Sequence, residues 1–196
     1  MTSKAKTSPL AVTGDADADK LLNSDPLALL LGMLLDQQVP MEWAFYGPYL
    51  LKERMGVLDA RTIANTDPDE FLAIAKGPRA IHRFPGSMGK RVQAVCQVIA
   101  DEYDGDAGRI WSDAATGDEL SKRLMALPGF GPDKTRIFIA LLAKRFGVRP
   151  KGWEKAAGPF ADKTPRSVAD IDGPDALAKV RAFKQAMKAQ NKTKAD

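Results

Sequence analysis

The sequence predicts an all-α protein, and three observations support that prediction. Apolar residues recur at helical spacing in nearly every periodic segment, and the clearest stripe is Leu27, Leu30, Leu31, Leu34 and Leu35. Segments in which Val, Ile or Thr alternate with polar residues, as in a half-buried strand, do not occur in the sequence. The segment at residues 127–131, Leu-Pro-Gly-Phe-Gly, has an apolar helical pattern on both sides, which is typical of a turn between two helices. We therefore expect a helical bundle.

Length and composition limit the class of protein. The chain has 196 residues, of which 44% are hydrophobic, so it can bury a core as one domain or as two small lobes. It contains 29 Lys and Arg against 25 Asp and Glu, and the net charge of +4 is compatible with a polyanionic partner but too small to demonstrate one. Cys96 is the only cysteine, which excludes an internal disulfide framework and any cluster held by four cysteines of this chain. A reducing, cytoplasmic location fits this composition.

The apolar runs and the ends of the chain predict no membrane association. No run has the length of a membrane span, and the first ten residues lack the apolar core of a signal peptide. Residues 1–20 are small, polar and charged, so we expect a poorly ordered arm without catalytic residues. The helical domain is expected over residues 21–190, as two lobes with a cleft between them, and residues 191–196 are expected to form a polar tail.

The turn after residue 126 is the most specific motif in the chain. Pro128 fixes φ, while Gly129 and Gly131 allow backbone conformations that a side chain would obstruct. The turn leads into the N-terminus of a helix, where unpaired N–H groups bind anions, and such amides can hold a nucleic-acid phosphate without any particular charged side chain. An ordinary turn between helices is the alternative. The candidate contacts are Leu127, Pro128, Gly129, Phe130, Gly131, Lys134 and Thr135.

A second group of candidates follows the leucine stripe. The helix begins at the capping signal of residues 23–26 and is stopped by Pro40, so Gln38 lies at its C-terminal mouth. Gln38 either contacts substrate there or is a core-edge residue bonded to the backbone. An aromatic patch comes next, at Trp43, Phe45, Tyr46 and Tyr49. Most of these rings are expected in the core, but one that faces a cavity, Trp43 or Tyr46, could stack on a base.

The best basic patch lies in the middle of the chain. Two short helices, expected at residues 57–64 and 67–75, precede it and are expected to be scaffold. The patch comprises Arg79, His82, Arg83, Lys90 and Arg91. These residues surround a loop at 84–89 that contains two glycines, and no acidic residue occurs from residue 77 to residue 100. The alternative interpretation is a solvated loop with incidental charge.

His82 and Cys96 are each the only residue of their kind. A lone histidine argues against a multi-histidine metal site and is more often a surface or hydrogen-bonded residue than an acid or base. Cys96 lies on the apolar stripe of the helix that follows the basic patch, so we expect a buried small residue.

From Leu27 to about Phe160 the order of these features resembles the helix-hairpin-helix DNA glycosylase superfamily, which includes endonuclease III and the bacterial 3-methyladenine glycosylases. In that family a helix ending like residues 34–38, Leu-Leu-Asp-Gln-Gln, supplies a glutamine near the flipped base, a helix like residues 90–96 follows, and the hairpin reads Leu-Pro-Gly-x-Gly. The resemblance implies an endonuclease III-like fold, double-stranded DNA as the partner, and a monovalent cation, K⁺ or Na⁺, at the hairpin carbonyls. It also implies a monomeric DNA repair protein of the cytoplasm and nucleoid.

Two departures from the family pattern concern catalysis. The lysine of lyase-competent members would stand at Asp133, whereas Lys134 is one residue later and about 100° away around a helix, which implies a monofunctional enzyme. The family's catalytic aspartate falls seven residues after the glycine that ends the next helix, and from Gly147 that position is Glu154. Asp162 is the fallback. The alternative for Glu154 is a surface carboxylate paired with a neighbouring lysine.

A third departure concerns the C-terminal region. The four-cysteine cluster of endonuclease III is missing, which implies a protein without an iron–sulfur cluster. Residues 175–188 instead predict an amphipathic helix, with an apolar face at Leu177, Val180, Phe183 and Met187 and basic residues outward. This helix either caps a lobe and adds positive potential or carries only solvated charge.

These features lead to three hypotheses. The first is a monofunctional, cluster-free DNA glycosylase that extrudes a damaged or mispaired nucleotide and hydrolyses its N-glycosidic bond. The second is a protein of the same fold that binds DNA without excising a base, and the third is an all-α interaction protein that binds no nucleic acid. For the first, the candidates are Glu154 and Gln38 for catalysis, Arg79, Arg83, Lys90 and Arg91 for further phosphate contacts, and Gln38, Trp43 and Tyr46 for the base pocket. No side-chain metal site is expected.

Overall fold

The computed structural model describes residues 8–190 and residue 192, and its regular structure there is helical. Eleven α-helices and two short 3-10 helices, Gly158–Ala161 and Val168–Asp170, account for it. Over these described residues no β-strand forms, and the only strand-like pairing is an isolated bridge between Thr116 and Lys151. The prediction of an all-α fold is therefore confirmed.

The helices are short, and five of the eleven α-helices begin after a residue whose side chain accepts their first N–H groups. In chain order they are α1 (Ala16–Ser24), α2 (Pro26–Leu35), α3 (Met41–Met55), α4 (Ala60–Asn65), α5 (Pro68–Lys76), α6 (Pro85–Glu102), α7 (Arg109–Ser112), α8 (Gly117–Met125), α9 (Pro132–Arg145), α10 (Trp153–Ala157) and α11 (Pro174–Ala189). Aspartates at positions 15, 25, 59 and 67 cap α1, α2, α4 and α5 through their carboxylates.

Helix α2 is the centre of the fold. Nine of its ten residues are buried. It packs against α1 and α3, while α6 packs against α4 and α5 to complete the first group of helices. The second group is built around α9, which packs against α8, α10 and both 3-10 helices. Leu29 of α2 lines a small cavity together with Leu142 of α9 and Phe146, so the two groups meet along α2.

The N-terminal segment differs from the expectation of a disordered arm. From residue 8 the chain is packed, with Leu10 and Val12 each 1% exposed. The Asp19 carboxylate accepts the N–H groups of Val12 and Thr13, and the Asn23 side chain bonds the backbone of Leu10 in both directions. The polar residues that suggested disorder are therefore caps and tethers. Residues 1–7, the rest of the predicted arm, lie outside the described residues, as does most of the predicted tail.

Two boundaries also differ from the sequence-based expectations. Helix α2 ends at Leu35, so Gln38 does not continue its buried face; it is exposed, with φ of +57°. Residues 85–89, expected within a loop, form the first turn of α6 because Pro85 takes the first helical position. A Cβ at Gly89 would lie 3.5 Å from Ala75 Cβ, so the glycine lets α6 approach α5 closely.

The predicted C-terminal amphipathic helix is present as α11. Val180 is buried, and Leu177 packs against the core. The Arg181 guanidinium pairs with Glu42, and the Lys184 Nζ lies 3.3 Å from the Met41 Sδ, so α11 is attached to the first turn of α3. Helix α11 thereby joins the two groups of helices, since it also packs against the 3-10 helix Val168–Asp170.

Candidate functional site

The hairpin between α8 and α9 is a tight turn with a buried anchor. Gly129 has φ of +86°, and the Phe130 N–H donates to the Leu127 carbonyl at 3.1 Å. Leu127 and Phe130 are buried, and the Phe130 ring packs edge-on against Phe138 with centroids 6.0 Å apart. The anchor leaves the two glycines on the surface. The side chains of Leu127 and Phe130 hold the turn by packing into the core, and they are too buried to form its outer surface.

The exposed part of the hairpin presents N–H groups without acceptors. Over the described residues, the amides of Gly129, Gly131 and Asp133 donate to no protein acceptor, and all three residues are exposed. Gly131 is the N-cap of α9 and offers no side-chain cap, while Pro132 has no N–H to satisfy. Helix α9 has 14 residues, so its N-terminus also carries a partial positive charge. This end of the hairpin is suited to an anion.

Gly129 fits its position in two ways. Besides its positive φ, a Cβ there would lie 2.9 Å from Leu34 Cδ1 and 3.4 Å from Arg91 Cδ. The turn is therefore seated against the end of α2 and against the stem of a basic residue of α6. This contact brings the hairpin, the leucine helix and the basic patch to one place.

Lys134 reinforces that contact. Its Nζ donates to the Leu34 carbonyl at 2.6 Å, at the open C-terminal end of α2, and lies 5.9 Å from the centre of the Phe130 ring. A cation at a helix C-terminus is favourable for the helix dipole. The Lys134 amino group thus points at the C-terminal end of α2, which the turn with Gln38 follows. Thr135, one residue on, is 1% exposed and its hydroxyl has no hydrogen-bond partner in the described structure.

His82 connects this region to the start of α6. The ring is 1% exposed, its Nε2 lies 2.8 Å from the Gln37 carbonyl, and its Nδ1 accepts the Phe84 N–H at 3.0 Å. An Nδ1 that accepts leaves the proton on Nε2, which donates to Gln37. Burial lowers the pKa of His82 below its ordinary value of 6.5, the bond to Gln37 opposes this, and the charge of Lys134 lowers it further. His82 is thus a neutral, hydrogen-bonded core residue.

The two backbone partners of His82, Gln37 and Phe84, differ in where their side chains lie. The Gln37 side chain donates to the Met88 Sδ at 2.8 Å, which turns Gln37 inward and leaves Gln38 exposed. Phe84, directly before α6, is 45% exposed, and the Arg83 guanidinium lies 5.3 Å from its ring centre. The sequence analysis did not single out Phe84. Its signal was Pro85, which places residue 84 outside the helix; in the structure the Phe84 ring packs 6.0 Å from the His82 ring and is otherwise largely exposed.

These residues form one surface, which we call the junction face: residues 127–135 of the hairpin and α9, residues 34–38, residues 82–84, and Arg91. The structure brings onto it six of the residues that the sequence proposed as contacts, namely Gln38, Arg83, Arg91, Gly129, Gly131 and Lys134. Their charges are basic, apart from Asp36 and Asp133. The Asp133 carboxylate lies 3.7 Å from the Arg136 guanidinium.

Other candidates lie elsewhere. The Arg79 guanidinium stacks 4.5 Å from the centre of the Tyr46 ring, and Trp43 donates its indole N–H to the Ala80 carbonyl at 2.8 Å. Both aromatic side chains thus hold the 77–81 loop against α3, and a role for them in a base pocket stays a prediction. Lys90 is exposed on the α5 side of α6, where it lines a cavity of about 460 Å³.

Glu154 is exposed near the start of α10, away from the hairpin turn. Helix α10 begins beside the N-terminus of α8, where the Gly117 N–H donates to the Lys151 carbonyl at 2.9 Å. That is the opposite end of the nine-residue α8 from the hairpin, about 12 Å along its axis. The fallback residue Asp162 is bound by Arg166 at 3.1 Å near the C-terminal end of α9. A catalytic role for either residue stays a prediction.

The described residues contain neither a candidate metal site nor a helix that could span a membrane. No group of three or more His, Cys, Asp or Glu in this part of the chain could hold a metal ion. No helix within residues 8–190 is long and apolar enough to cross a membrane. Cys96 is fully buried, as expected, and burial raises the pKa of its thiol.

Comparison with known proteins finds likeness in structure only. No family model and no curated protein matches the chain. A trapped endonuclease III–DNA covalent intermediate matches with 15% identity over 86% of this chain and 73% of the other, with a TM-score of 0.47. A thermostable thymine-DNA glycosylase matches with 15% identity over 84% and 65%, and the H. pylori 3-methyladenine DNA glycosylase with 13% over 87% and 94%, each with a TM-score of 0.47. This likeness assigns no family, activity or residue role to this chain.

The environment of His82 predicts how stability depends on pH. The folded chain has a lowered His82 pKa, so the unfolded chain binds a proton that the folded chain excludes. The contribution of His82 to the free energy of unfolding is therefore fully present above about pH 6.5 and is lost as the pH falls through the lower folded value. Urea unfolding of the wild type and of His82→Gln at a series of pH values measures this. We expect the wild type to lose stability between about pH 6.5 and 5 more steeply than the variant. Equal slopes for both proteins would contradict it.

Proposed function

We propose that this protein is a monofunctional DNA glycosylase that binds duplex DNA on the junction face, extrudes a damaged or mispaired nucleotide and hydrolyses its N-glycosidic bond. The observation that carries the proposal is the group of exposed hairpin amides without acceptors, next to Arg91 and Lys134. Unsatisfied N–H groups in a turn beside two cations are suited to a phosphate of the DNA backbone.

The hairpin backbone supplies the phosphate contact. The N–H groups of Gly129, Gly131 and Asp133 are close in sequence, and two of them belong to residues at the start of α9. Arg91 and Arg83 add positive charge from separate segments. A monovalent cation is a further proposal: the carbonyls of Leu127 and Gly131 each accept one backbone N–H, and each oxygen keeps a second lone pair that K⁺ or Na⁺ could use.

Gln38 and Phe84 would act on the base stack. Gln38 is exposed at a turn with positive φ, and Phe84 is a large exposed apolar side chain beside a guanidinium. Proteins that kink or open a duplex insert apolar side chains between base steps. In this proposal Phe84 occupies the opened step, while Gln38 fills or reads the space that the extruded nucleotide leaves.

Hydrolysis of the glycosidic bond calls for a carboxylate near the sugar. A carboxylate stabilises the cationic character of the sugar or activates water, and its position matters because errors near 1 Å can cost about a hundredfold. Glu154 is the candidate from the family spacing, on α10. Asp36, which is half-buried and caps the end of α2 next to Gln37, is one of the two carboxylates on the junction face. The other, Asp133, is exposed and lies 3.7 Å from Arg136. Glu154 and Asp36 are the ones to test.

The contacts of Lys134 favour the monofunctional form of the proposal. A lysine forms a Schiff base only as the neutral amine. Here the Nζ donates to a main-chain carbonyl at a helix C-terminus and lies near an aromatic face, both of which are contacts of an ammonium ion. Lys134 would therefore hold the hairpin to α2 and contribute charge.

A second candidate function is DNA binding without base excision. It is favoured by the location of Glu154, which is exposed and follows Lys151 by three residues, and the Lys151 carbonyl bonds the N-terminus of α8, the end of that helix remote from the hairpin. The same amides and basic residues would bind the duplex in this case, and the chemistry would be absent.

Enlarging Gly131 tests the phosphate contact without disturbing the fold. A Cβ at this glycine meets no atom within 4 Å, and its φ of −96° is accessible to any residue. We expect Gly131→Ala and Gly131→Val to weaken duplex binding in order of size, with Val reaching about tenfold, or about 1.4 kcal/mol. Fluorescence anisotropy with a labelled duplex at several salt concentrations measures this, and thermal unfolding is expected to be unchanged.

Gly173 provides the matched control for this prediction. It is also an N-cap with open space around its Cβ, on α11. Gly173→Ala and Gly173→Val are expected to bind DNA like the wild type. Equal losses at both glycines, or wild-type binding by Gly131→Val, would contradict the phosphate contact.

A panel of duplexes with damaged and mispaired bases tests the chemistry. We expect the wild type to form abasic sites on at least one duplex, and Glu154→Gln to lose this activity at least a hundredfold while DNA binding is kept, since the amide keeps the shape but not the charge. Borohydride is expected to trap no covalent adduct. Asp36→Asn is the comparison variant.

The outcomes separate the candidates. Activity that persists in Glu154→Gln and is lost in Asp36→Asn would assign the catalytic role to Asp36, at the end of α2, instead of Glu154. A trapped adduct that disappears in Lys134→Gln would overturn the monofunctional proposal. Tight duplex binding with no abasic sites across the panel would favour the second function.

A further inference from the structure

His82 joins the two segments of the junction face that carry exposed candidates for contact with bases. Through Nε2 it bonds the carbonyl of Gln37, the neighbour of Gln38, and through Nδ1 it bonds the main-chain N–H of Phe84. These two bonds span 45 residues and 2 residues of sequence, respectively. At 1% exposure the ring itself cannot touch DNA. Whatever it contributes to binding acts through its partners.

The two bonds require a neutral ring. Nδ1 can accept the Phe84 N–H only while it carries no proton, and Nε2 must carry the proton to donate to Gln37. A second proton on Nδ1 would set two donors against each other at Phe84. The link to Gln37 would survive protonation, whereas the link to Phe84 would not.

Burial of the ring and the charge of Lys134 disfavour that second proton. Lys134 of α9 acts on it directly, and Arg83 is its neighbour in the chain. Asp36 follows the end of α2 one residue before Gln37, and α6 contributes the neutral Met88 close by, with Lys90 and Arg91 as its nearest ionisable residues. The His82 ring is therefore neutral at physiological pH, where both of its hydrogen bonds are kept, and its bond to the Phe84 N–H is lost on protonation in mild acid.

We propose that His82 is a positioning residue for DNA binding: its neutral imidazole holds the Phe84 segment and the Gln37–Gln38 turn in one arrangement, and protonation releases Phe84. The inference rests on the proposed function, because it assigns Phe84 and Gln38 to the DNA interface. It predicts that the affinity for DNA decreases when His82 is protonated. Extra positive charge alone tightens binding to a polyanion, whereas loss of the Phe84 arrangement weakens it.

A double-mutant cycle tests whether His82 acts through Phe84. The variants are His82→Gln, Phe84→Ala and the double variant, and binding is measured to a duplex with a stable abasic analogue. Gln can donate to the Gln37 carbonyl but leaves no acceptor at the position of Nδ1. We expect His82→Gln to weaken binding about tenfold in the wild-type background and less than about twofold when Phe84 is already Ala. A tenfold loss in both backgrounds would mean a general structural effect and would overturn the proposal.

The pH profile gives an independent readout that a merely structural role would not move. Wild-type affinity is expected to fall several-fold from about pH 7.5 to about pH 5.5, and this fall is expected to be absent in Phe84→Ala. Lys163→Ala, next to a residue that Lys144 contacts near the far end of α9, serves as the control variant and should follow the wild type. A wild-type profile that is flat or tightens in acid would overturn the proposal.

The design separates this inference from the proposed function. Absence of salt-dependent duplex binding by the wild type would overturn both. Salt-dependent binding with wild-type behaviour of the His82 variants would overturn the inference alone. If His82→Gln does not fold, His82→Asn, which keeps an acceptor for Phe84 and loses the bond to Gln37, and the wild-type pH profile decide the matter: Asn is expected to bind within about threefold of the wild type, and a loss of about tenfold would overturn the proposal.

Discussion

The seating of the hairpin on the end of α2 is the contact on which the rest of the structure depends. Gly129 turns the chain so closely against Leu34 and Arg91 that neither its conformation nor its surroundings leave room for a side chain. Lys134 then closes the same contact by donating to the Leu34 carbonyl. With this contact in place, the two groups of helices meet along α2, and residues from four distant segments share one surface.

The net charge of +4 says little about where this protein would bind an anion. The binding site depends instead on which main-chain N–H groups lack acceptors and which basic side chains lie next to them. Main-chain amides at Gly129 and Gly131 have no acceptor among the described residues, while Arg91 and Arg83 come to the same face from residues 77–100, which contain no acidic residue. Neutral His82 underneath holds the surface without adding charge. A backbone anion site with separately positioned side chains is the arrangement expected for gripping a nucleic-acid strand.

Local features were predictable, whereas long-range ones were not. The helices around the hairpin follow from apolar spacing with Gly and Pro at their ends, and the capping aspartates mark where helices begin. The partners of His82, by contrast, lie up to 45 residues away, and no local pattern reports them. Composition also misled at residues 8–20, where polar residues such as Asp19 tether buried Leu10 and Val12. Exposure of Phe84 depended on where α6 begins, a boundary that the sequence placed too late.

Amide chemical shifts of the ¹⁵N-labelled protein, followed as a short duplex is added, report on the hairpin itself. The structure leads us to expect that the signals of Gly129, Gly131 and Asp133 move first and furthest, that the shifts shrink as salt is raised, and that Gly131→Val abolishes them. Shifts confined to the basic outer face of α11, with the hairpin signals unmoved by saturating duplex, would contradict a phosphate site at this turn and the function proposed from it.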